Sequence, residues 1–108
     1  MLKFPGMNLY INTKDPKVVT VSVKEGERVV DSLTDYSEYG SQVLLPLIVK
    51  IFTKNNLDFK DIKRVEVETG PGSFTGLKVG ASVAQALGFA LNIPVNGVVN
   101  KPVDLVYT

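Results

Sequence analysis

Small residues that recur every four positions constrain this chain more than any other feature. They lie on one ridge of a helix predicted over residues 73–91: Gly76, Gly80, Ala84 and Gly88. Residues four apart share a helix face, and each glycine inside a helix costs about 0.5–1 kcal/mol relative to alanine. Small side chains let another backbone approach closely. The spacing therefore predicts that a second element packs tightly along this ridge.

A second predicted helix, over residues 41–55, is apolar around most of its circumference. Its aliphatic and aromatic side chains cover an arc of roughly 240°, whereas one core needs a stripe of only ~100°. In the helix over 73–91, the clearly solvated side chains are Lys78 and Gln85. Two alternatives explain this excess of apolar surface: residues 101–108 and the N-terminal arm cover the helices, or the helices bind another protein.

The second alternative is preferred, because contiguous apolar patches usually mark partner sites. It predicts a contact surface formed by both helices: Val43, Leu44, Leu47, Ile48 and Ile51 from the first, with Gly76, Gly80, Val83, Ala84 and Leu87 from the second. Self-association would give a homodimer, and a different partner would give a heterodimer. If this surface is correct, Gly80→Arg abolishes association and leaves the isolated fold largely intact.

The remaining apolar segments alternate as β-strands do. Strands are predicted over residues 8–12, 18–23, 28–33, 62–68 and 95–99, and Glu25-Gly26 forms a hairpin turn. The order is β-β-β-α-β-α-β, which predicts an α/β fold with a mixed five-stranded sheet, because crossover helices make the later strands parallel. Residues 1–108 are expected to form a single domain.

A glycine-rich loop joins the fourth strand to the second helix. Its candidate anion-binding residues are Gly70, Gly72, Ser73 and Thr75, because backbone amides at a helix N-terminus can hold phosphate. The spacing does not match the Walker A motif, since Lys78 comes two residues after Gly76. A tight turn with close helix packing explains the same glycines. Both alternatives stay open from the motif alone.

The 108 residues contain no histidine and no cysteine, and their net charge is 12 − 11 = +1. This composition excludes a Ser-His-Asp triad, a thiol nucleophile and a Cys/His zinc site within the sequence. The balanced charge argues against direct binding to nucleic acid. No signal peptide and no apolar run near 20 residues are evident. We therefore expect no metal, no membrane association and a cytoplasmic location.

The stretch over residues 70–98, from Gly-Pro-Gly-Ser-Phe-Thr-Gly to Pro-Val-Asn-Gly-Val, resembles the TsaB (YeaZ) family. Residues 41–46 also resemble that family's first helix. The family is a partner subunit in making threonylcarbamoyladenosine (t6A) on tRNA. The resemblance implies one lobe of the actin/Hsp70-like (ASKHA, ribonuclease H-like) fold. It also implies no catalysis by the chain itself, and association with the TsaD-type catalytic subunit, or self-association, through the two helices.

Two departures from the family pattern bear on function. The family has an Asp-Thr-Ser turn after the first strand, whereas this chain has Asn12-Thr13-Lys14 and lacks that carboxylate. We therefore expect no cofactor and no nucleotide binding by this chain alone. Family members also have a second lobe, which we expect to be absent from residues 1–108. The alternative function is a small phosphate- or nucleotide-binding protein that uses residues 70–75, or a degenerate paralogue with another protein partner.

Overall fold

A computed structural model describes residues 6–36 and 40–107 of the chain. A short 3-10 helix, Phe59–Asp61, precedes the last strand, and the main elements follow in this order: β1 Met7–Asn12, β2 Val18–Glu25, β3 Arg28–Tyr36, α1 Gly40–Lys54, β4 Ile62–Val67 and α2 Phe74–Leu91. The sheet order is β3-β2-β1-β4. β1 pairs antiparallel with β2 and parallel with β4. The α/β class and the mixed sheet are as predicted.

The predicted fifth strand over residues 95–99 is wrong in the described structure, where the sheet has four strands. Val95 makes one isolated parallel bridge to Val65, and the chain then turns back so that Val95 bridges Val98. Asn96 and Gly97 both have positive φ, 49° and 81°. An Asn-Gly pair strongly favours a tight turn, and this turn ends the pairing after one residue.

The side chain of Asn96 takes over the next position along the edge of β4. Its Oδ1 accepts a hydrogen bond from the Val67 amide at 2.8 Å, and its Nδ2 donates to the Val67 carbonyl at 3.0 Å. A side-chain amide therefore satisfies the same donor and acceptor that a fifth strand would satisfy. This keeps the backbone groups of Val67 paired.

Both helices pack on the same face of the sheet. Alternate residues of β1 point into this core, with Met7, Leu9 and Ile11 fully buried, as the two-residue period of a strand requires. The opposite face carries rows of hydroxyl groups, in which Thr20 pairs with Thr34 at 3.1 Å. The sheet thus has one face covered by helices and one polar face.

By length and composition alone, α2 could also cross a membrane. This corrects the prediction that no segment is apolar enough. The helix packs one face on the sheet, where Leu77, Gly80 and Ala84 are buried. Core helices of soluble proteins pass the same test, so the length and composition of α2 are weak evidence for membrane insertion.

Candidate interaction surface and glycine-rich loop

The small-residue ridge of α2 packs against the sheet of its own chain. A Cβ added at Gly76 would overlap the Thr13 carbonyl oxygen, and one added at Gly80 would overlap Thr13 Oγ1. A Cβ at Gly88 would lie 2.5 Å from a methyl group of Val95. The prediction of close packing along the ridge is confirmed. Thr13, just after β1, packs against Gly76 and Gly80, and Val95 packs against Gly88.

Thr13 fixes this contact between β1 and the start of α2. Its side chain is only 2% exposed, and Oγ1 donates a hydrogen bond to the Gly76 carbonyl at 2.5 Å. The neighbouring Asn12 accepts a hydrogen bond from the Lys14 amide at 3.2 Å. These two residues therefore shape the turn after β1 and the start of α2.

Six of the ten predicted contact residues are buried in the core and cannot form a surface for a partner: Leu44, Leu47, Ile48, Ile51, Gly80 and Ala84. The physical reason is that the sheet covers the sides of both helices that carry these residues. The expectation that Gly80→Arg spares the fold is also wrong, because an arginine side chain has no space between α2 and Thr13.

The other four predicted contact residues, Val43, Gly76, Val83 and Leu87, remain partly exposed. On α1, sequence reasoning missed Leu45 and Val49, each 48% exposed. The wide apolar arc of α1 includes both its buried and its exposed side, so the arc alone could not separate them.

We call the apolar surface that the two helices leave exposed or partly exposed the outer helix face. It consists of Leu45 and Val49 of α1 with Val83, Ala86, Leu87 and Ala90 of α2. The face is formed by aliphatic side chains from two helices that pack against each other. Such a patch can bind an apolar surface of another protein.

The glycine-rich loop is held by hydrogen bonds within the chain. The amide of Gly70 donates to Glu68 Oε1 at 3.3 Å, that of Gly72 to the Val106 carbonyl at 3.2 Å, and that of Ser73 to the Lys14 carbonyl at 2.9 Å. These amides are therefore already paired and do not converge on an anion. The geometry favours the tight-turn alternative over the phosphate cradle.

The other two candidate groups of the loop point to the same conclusion. Ser73 is the N-cap of α2, and its Oγ accepts a hydrogen bond from the Gly76 amide at 3.4 Å. A side-chain oxygen in this role satisfies one of the unpaired amides of the first helical turn. Thr75 is exposed on that turn. The predicted phosphate-binding residues lie together in the loop, but the hydroxyl group of Ser73 caps α2 and is therefore already paired.

Residues 102–107, which we call the strap, lie against this loop and one flank of α2. The Val106 amide donates to the Thr69 carbonyl at 2.8 Å, and the rings of Phe74 and Tyr107 lie 4.7 Å apart between centroids. Val103 packs against the core. Within the described residues, the strap therefore lies over this flank of α2, as the first alternative predicts for residues 101–108, whereas the N-terminal arm of that alternative lies outside the described residues.

A polar depression of about 500 Å³ lies beside Tyr10 and Glu68 at the edge of the sheet. The Tyr10 hydroxyl donates to Glu68 Oε2 at 3.4 Å, and Lys24 Nζ lies 4.8 Å from the centre of the Tyr10 ring. Burial, followed by the charge of Glu68, raises the pKa of the Tyr10 phenol above 10.0. Over residues 6–36 and 40–107, no three His, Cys, Asp or Glu side chains cluster as a metal site would require.

The fold belongs to a known α/β class. The described structure is similar to a Bacteroides thetaiotaomicron protein with an actin-like ATPase fold, with a TM-score of 0.54 and 6% identity, over 91% of this chain and 35% of that chain. It is more similar to YeaZ from Pseudomonas aeruginosa, with a TM-score of 0.77 and 25% identity, over 87% of this chain and 44% of that chain. The described residues therefore have a fold that occurs within actin-like ATPase and YeaZ structures.

Sequence comparison gives the family. The model of the family described as "TsaD: tRNA N6-adenosine threonylcarbamoyltransferase" matches residues 34–101, so the chain belongs to that family. A Buchnera aphidicola protein named "tRNA threonylcarbamoyladenosine biosynthesis protein TsaB" is 38% identical over 52 residues, 48% of this chain and 24% of that protein. The chain is therefore also similar to TsaB (YeaZ) proteins, over part of their length.

A catalytic-subunit name also occurs among the relatives. A Nitrosospira multiformis protein named "tRNA N6-adenosine threonylcarbamoyltransferase" is 49% identical over 55 residues, which is 51% of this chain and 16% of that protein. The chain therefore spans less than half the length of these relatives.

Proposed function

We propose that this chain acts in t6A biosynthesis as a non-catalytic subunit, or as part of one, and binds a TsaD-type catalytic subunit through the outer helix face. The observation that carries the proposal is the exposure of aliphatic side chains on α1, where Leu45 and Val49 are each 48% exposed. The names of the TsaB relatives supply the process. The face would be covered by a partner of matching apolar surface.

Composition supports a non-catalytic role, which we place in the cytoplasm as part of the proposal. The 108 residues hold no histidine or cysteine, so this stretch supplies no imidazole or thiolate for chemistry. Its net charge of +1 gives no broad electrostatic attraction to tRNA. In this proposal, the catalytic subunit supplies both the contacts to tRNA and the reacting groups.

The experiment is a binding measurement between this chain and a TsaD-type subunit of the same organism, with Val49→Asp as the test variant. The change removes apolar area and puts a carboxylate into a dry contact, so we expect affinity to fall at least about tenfold, which corresponds to about 1.4 kcal/mol. Val29→Asp is the matched control, because Val29 lies on β3 and is 51% exposed against 48% for Val49.

The native chain and the control should bind alike, and both variants should keep the circular dichroism spectrum of the native chain. Equal binding by Val49→Asp and the native chain would refute the outer helix face as the contact. Sedimentation velocity of the chain alone, with the same two variants, tests self-association through that face.

A second candidate function is that this stretch is part of a TsaD-type transferase. The 49% identity to the Nitrosospira protein and the family model favour it. An assay of threonylcarbamoyl transfer to tRNA by this chain, with no TsaD-type subunit added, separates the two candidates. Turnover would favour the transferase, and activity that depends on the added subunit favours the non-catalytic role.

A further inference from the structure

The contacts of the strap with the rest of the chain are of the kind an extended peptide makes. The Val106 amide donates to the Thr69 carbonyl, and the Val106 carbonyl accepts from the Gly72 amide. Gly72 and Tyr107 thereby form a parallel β-bridge. Backbone pairing of this type gives affinity in β-strand addition, and side-chain pockets add specificity.

The surface that receives the strap is shaped for a backbone at one end and for an aromatic ring at the other. A Cβ added at Gly70 would overlap the Val106 carbonyl oxygen, so only glycine lets the strap approach. The Phe74 ring, which is 58% exposed, contacts the Tyr107 ring. We call this surface, formed by the backbone of residues 69–72 and the Phe74 ring, the strap site.

Val103 packs the strap against the core, whereas the end of the strap is exposed. A cavity of about 270 Å³ lies between the strap and the facing flank of α2, and residues 102–105 and Tyr107 line one side of it. Val106 is 56% exposed and Tyr107 44% exposed, so neither is anchored in the core. The connection to the core consists of exposed residues 96–100, in which Asn96, Gly97 and Asn100 have positive φ. Few bonds, exposed side chains and an exposed connection are features of a segment of low local stability.

From these contacts we propose that the strap site is a peptide-binding site and that the strap of a second copy of this chain can occupy it in place of the chain's own strap. The strap is the one sequence whose fit to the site is visible, and every further copy carries it. Exchange of an identical segment between two copies is a low-cost route to a dimer. The proposal does not depend on the proposed function, because the strap contacts a flank of α2 outside the outer helix face.

The test uses the variant Val106→Pro, which removes the hydrogen bond to Thr69 and weakens the chain's own strap. The probe is a fluorescein-labelled peptide of residues 101–107, and its binding is followed by fluorescence anisotropy. We expect the peptide to bind the variant at least about tenfold more tightly than the native chain, because the attached strap competes at millimolar effective concentration. A control peptide with proline in place of Val106 should bind the variant at least about tenfold more weakly.

Amide exchange identifies the site. The Gly72 amide should exchange faster in Val106→Pro than in the native chain and slow again when the peptide is added, while amides of β1 stay protected. If the proline variant unfolds, Tyr107→Ala replaces it in the comparison of peptide binding with the native chain, because this variant keeps both backbone hydrogen bonds. Equal binding of the two peptides, or binding that leaves Gly72 exchange unchanged, would overturn the proposal. Val49→Asp, which alters the outer helix face and not the strap site, should bind the peptide as the native chain does.

Discussion

Replacing Gly80 by alanine tests how α2 packs on the sheet. A Cβ at this position would overlap Thr13 Oγ1 and lie 3.3 Å from a Val67 methyl group and 3.5 Å from an Ile11 methyl group. The contact with Ile11 is at an ordinary packing distance and the one with Val67 is slightly tight, whereas the overlap with the hydroxyl oxygen must be relieved by movement. Thr13 is buried, and rotating its side chain breaks the hydrogen bond to the Gly76 carbonyl.

Two opposing effects decide the sign of the change in the free energy of unfolding. Alanine is favoured over glycine in a helix by about 0.5–1 kcal/mol. Overpacking in a dense core costs about 1–3 kcal/mol, and a lost hydrogen bond adds about 0.5–1.5 kcal/mol. We expect Gly80→Ala to destabilise the chain by about 2 kcal/mol, which lowers the midpoint of thermal unfolding by roughly 8–16 °C.

A double-mutant cycle with Thr13→Ala isolates the contact. Without Oγ1, the methyl groups of Val67 and Ile11 remain at 3.3 and 3.5 Å from the added Cβ, and the helix preference of alanine is no longer opposed by the hydroxyl. Gly80→Ala should then be neutral or stabilising by up to about 1 kcal/mol, which gives a coupling energy of about 2 kcal/mol or more between the two positions.

The assay is urea unfolding followed by circular dichroism, with Ser82→Ala, an exposed change in the same helix, as the control for helix preference. The control should alter the free energy of unfolding by a few tenths of a kcal/mol. The reasoning is refuted if Gly80→Ala is as stable as the native chain, or if its cost is the same with and without Thr13→Ala.

Two further predictions concern contacts at the ends of elements. The side-chain hydrogen bond from Asn55 lowers the pKa of Asp31 below 3.8. The stabilisation that this shift provides is therefore present above the unfolded-state pKa and is lost as the pH falls through the lowered folded-state pKa. Asp31→Asn should flatten the acid side of the curve of stability against pH, as measured by urea unfolding. Asn96→Ala removes both hydrogen bonds to Val67 and should cost about 1–2 kcal/mol, whereas Asn100→Ala, also at positive φ, should cost less in the same thermal-unfolding assay, and equal costs would show that backbone strain accounts for the effect.

The elements that sequence reasoning predicted well are those set by local signals. The hairpin follows from alternation on both sides of the turn at residues 25–27, and α2 follows from the apolar run that begins after the Ser73 cap. The prediction of a fifth strand was wrong because Asn96-Gly97, which favours a tight turn, lies inside the apolar run over residues 95–99. The side-chain pairing of Asn96 with Val67 joins residues 29 positions apart, and no local pattern encodes such a contact.

The contact surface was harder to predict, because burial depends on which side of each helix faces the sheet. The apolar arc of α1 includes Ile48 in the core and Val49 at the surface, one position apart. Glycine spacing on α2 correctly indicated close packing, but the same spacing suits a partner helix and a neighbouring strand. The burial of Thr13 against Gly76 and Gly80 shows that the end of a strand occupies the ridge. This contact depends on the tertiary structure, and no local sequence pattern predicts it.

The packing of α2 also limits where a partner can contact this helix. The sheet covers the ridge that contains Gly80, and the strap lies along a second flank, so the surface turned away from both remains. There Ala86 and Ala90 lie four residues apart and are exposed, which places two small side chains on one ridge of the helix. Small residues at this spacing let a second helix approach closely, with ridges of one helix in the grooves of the other. These two positions therefore let the backbone of a partner approach α2 closely, whether that partner supplies a helix or a strand, and Val49 of α1 is a further exposed apolar side chain for such a contact.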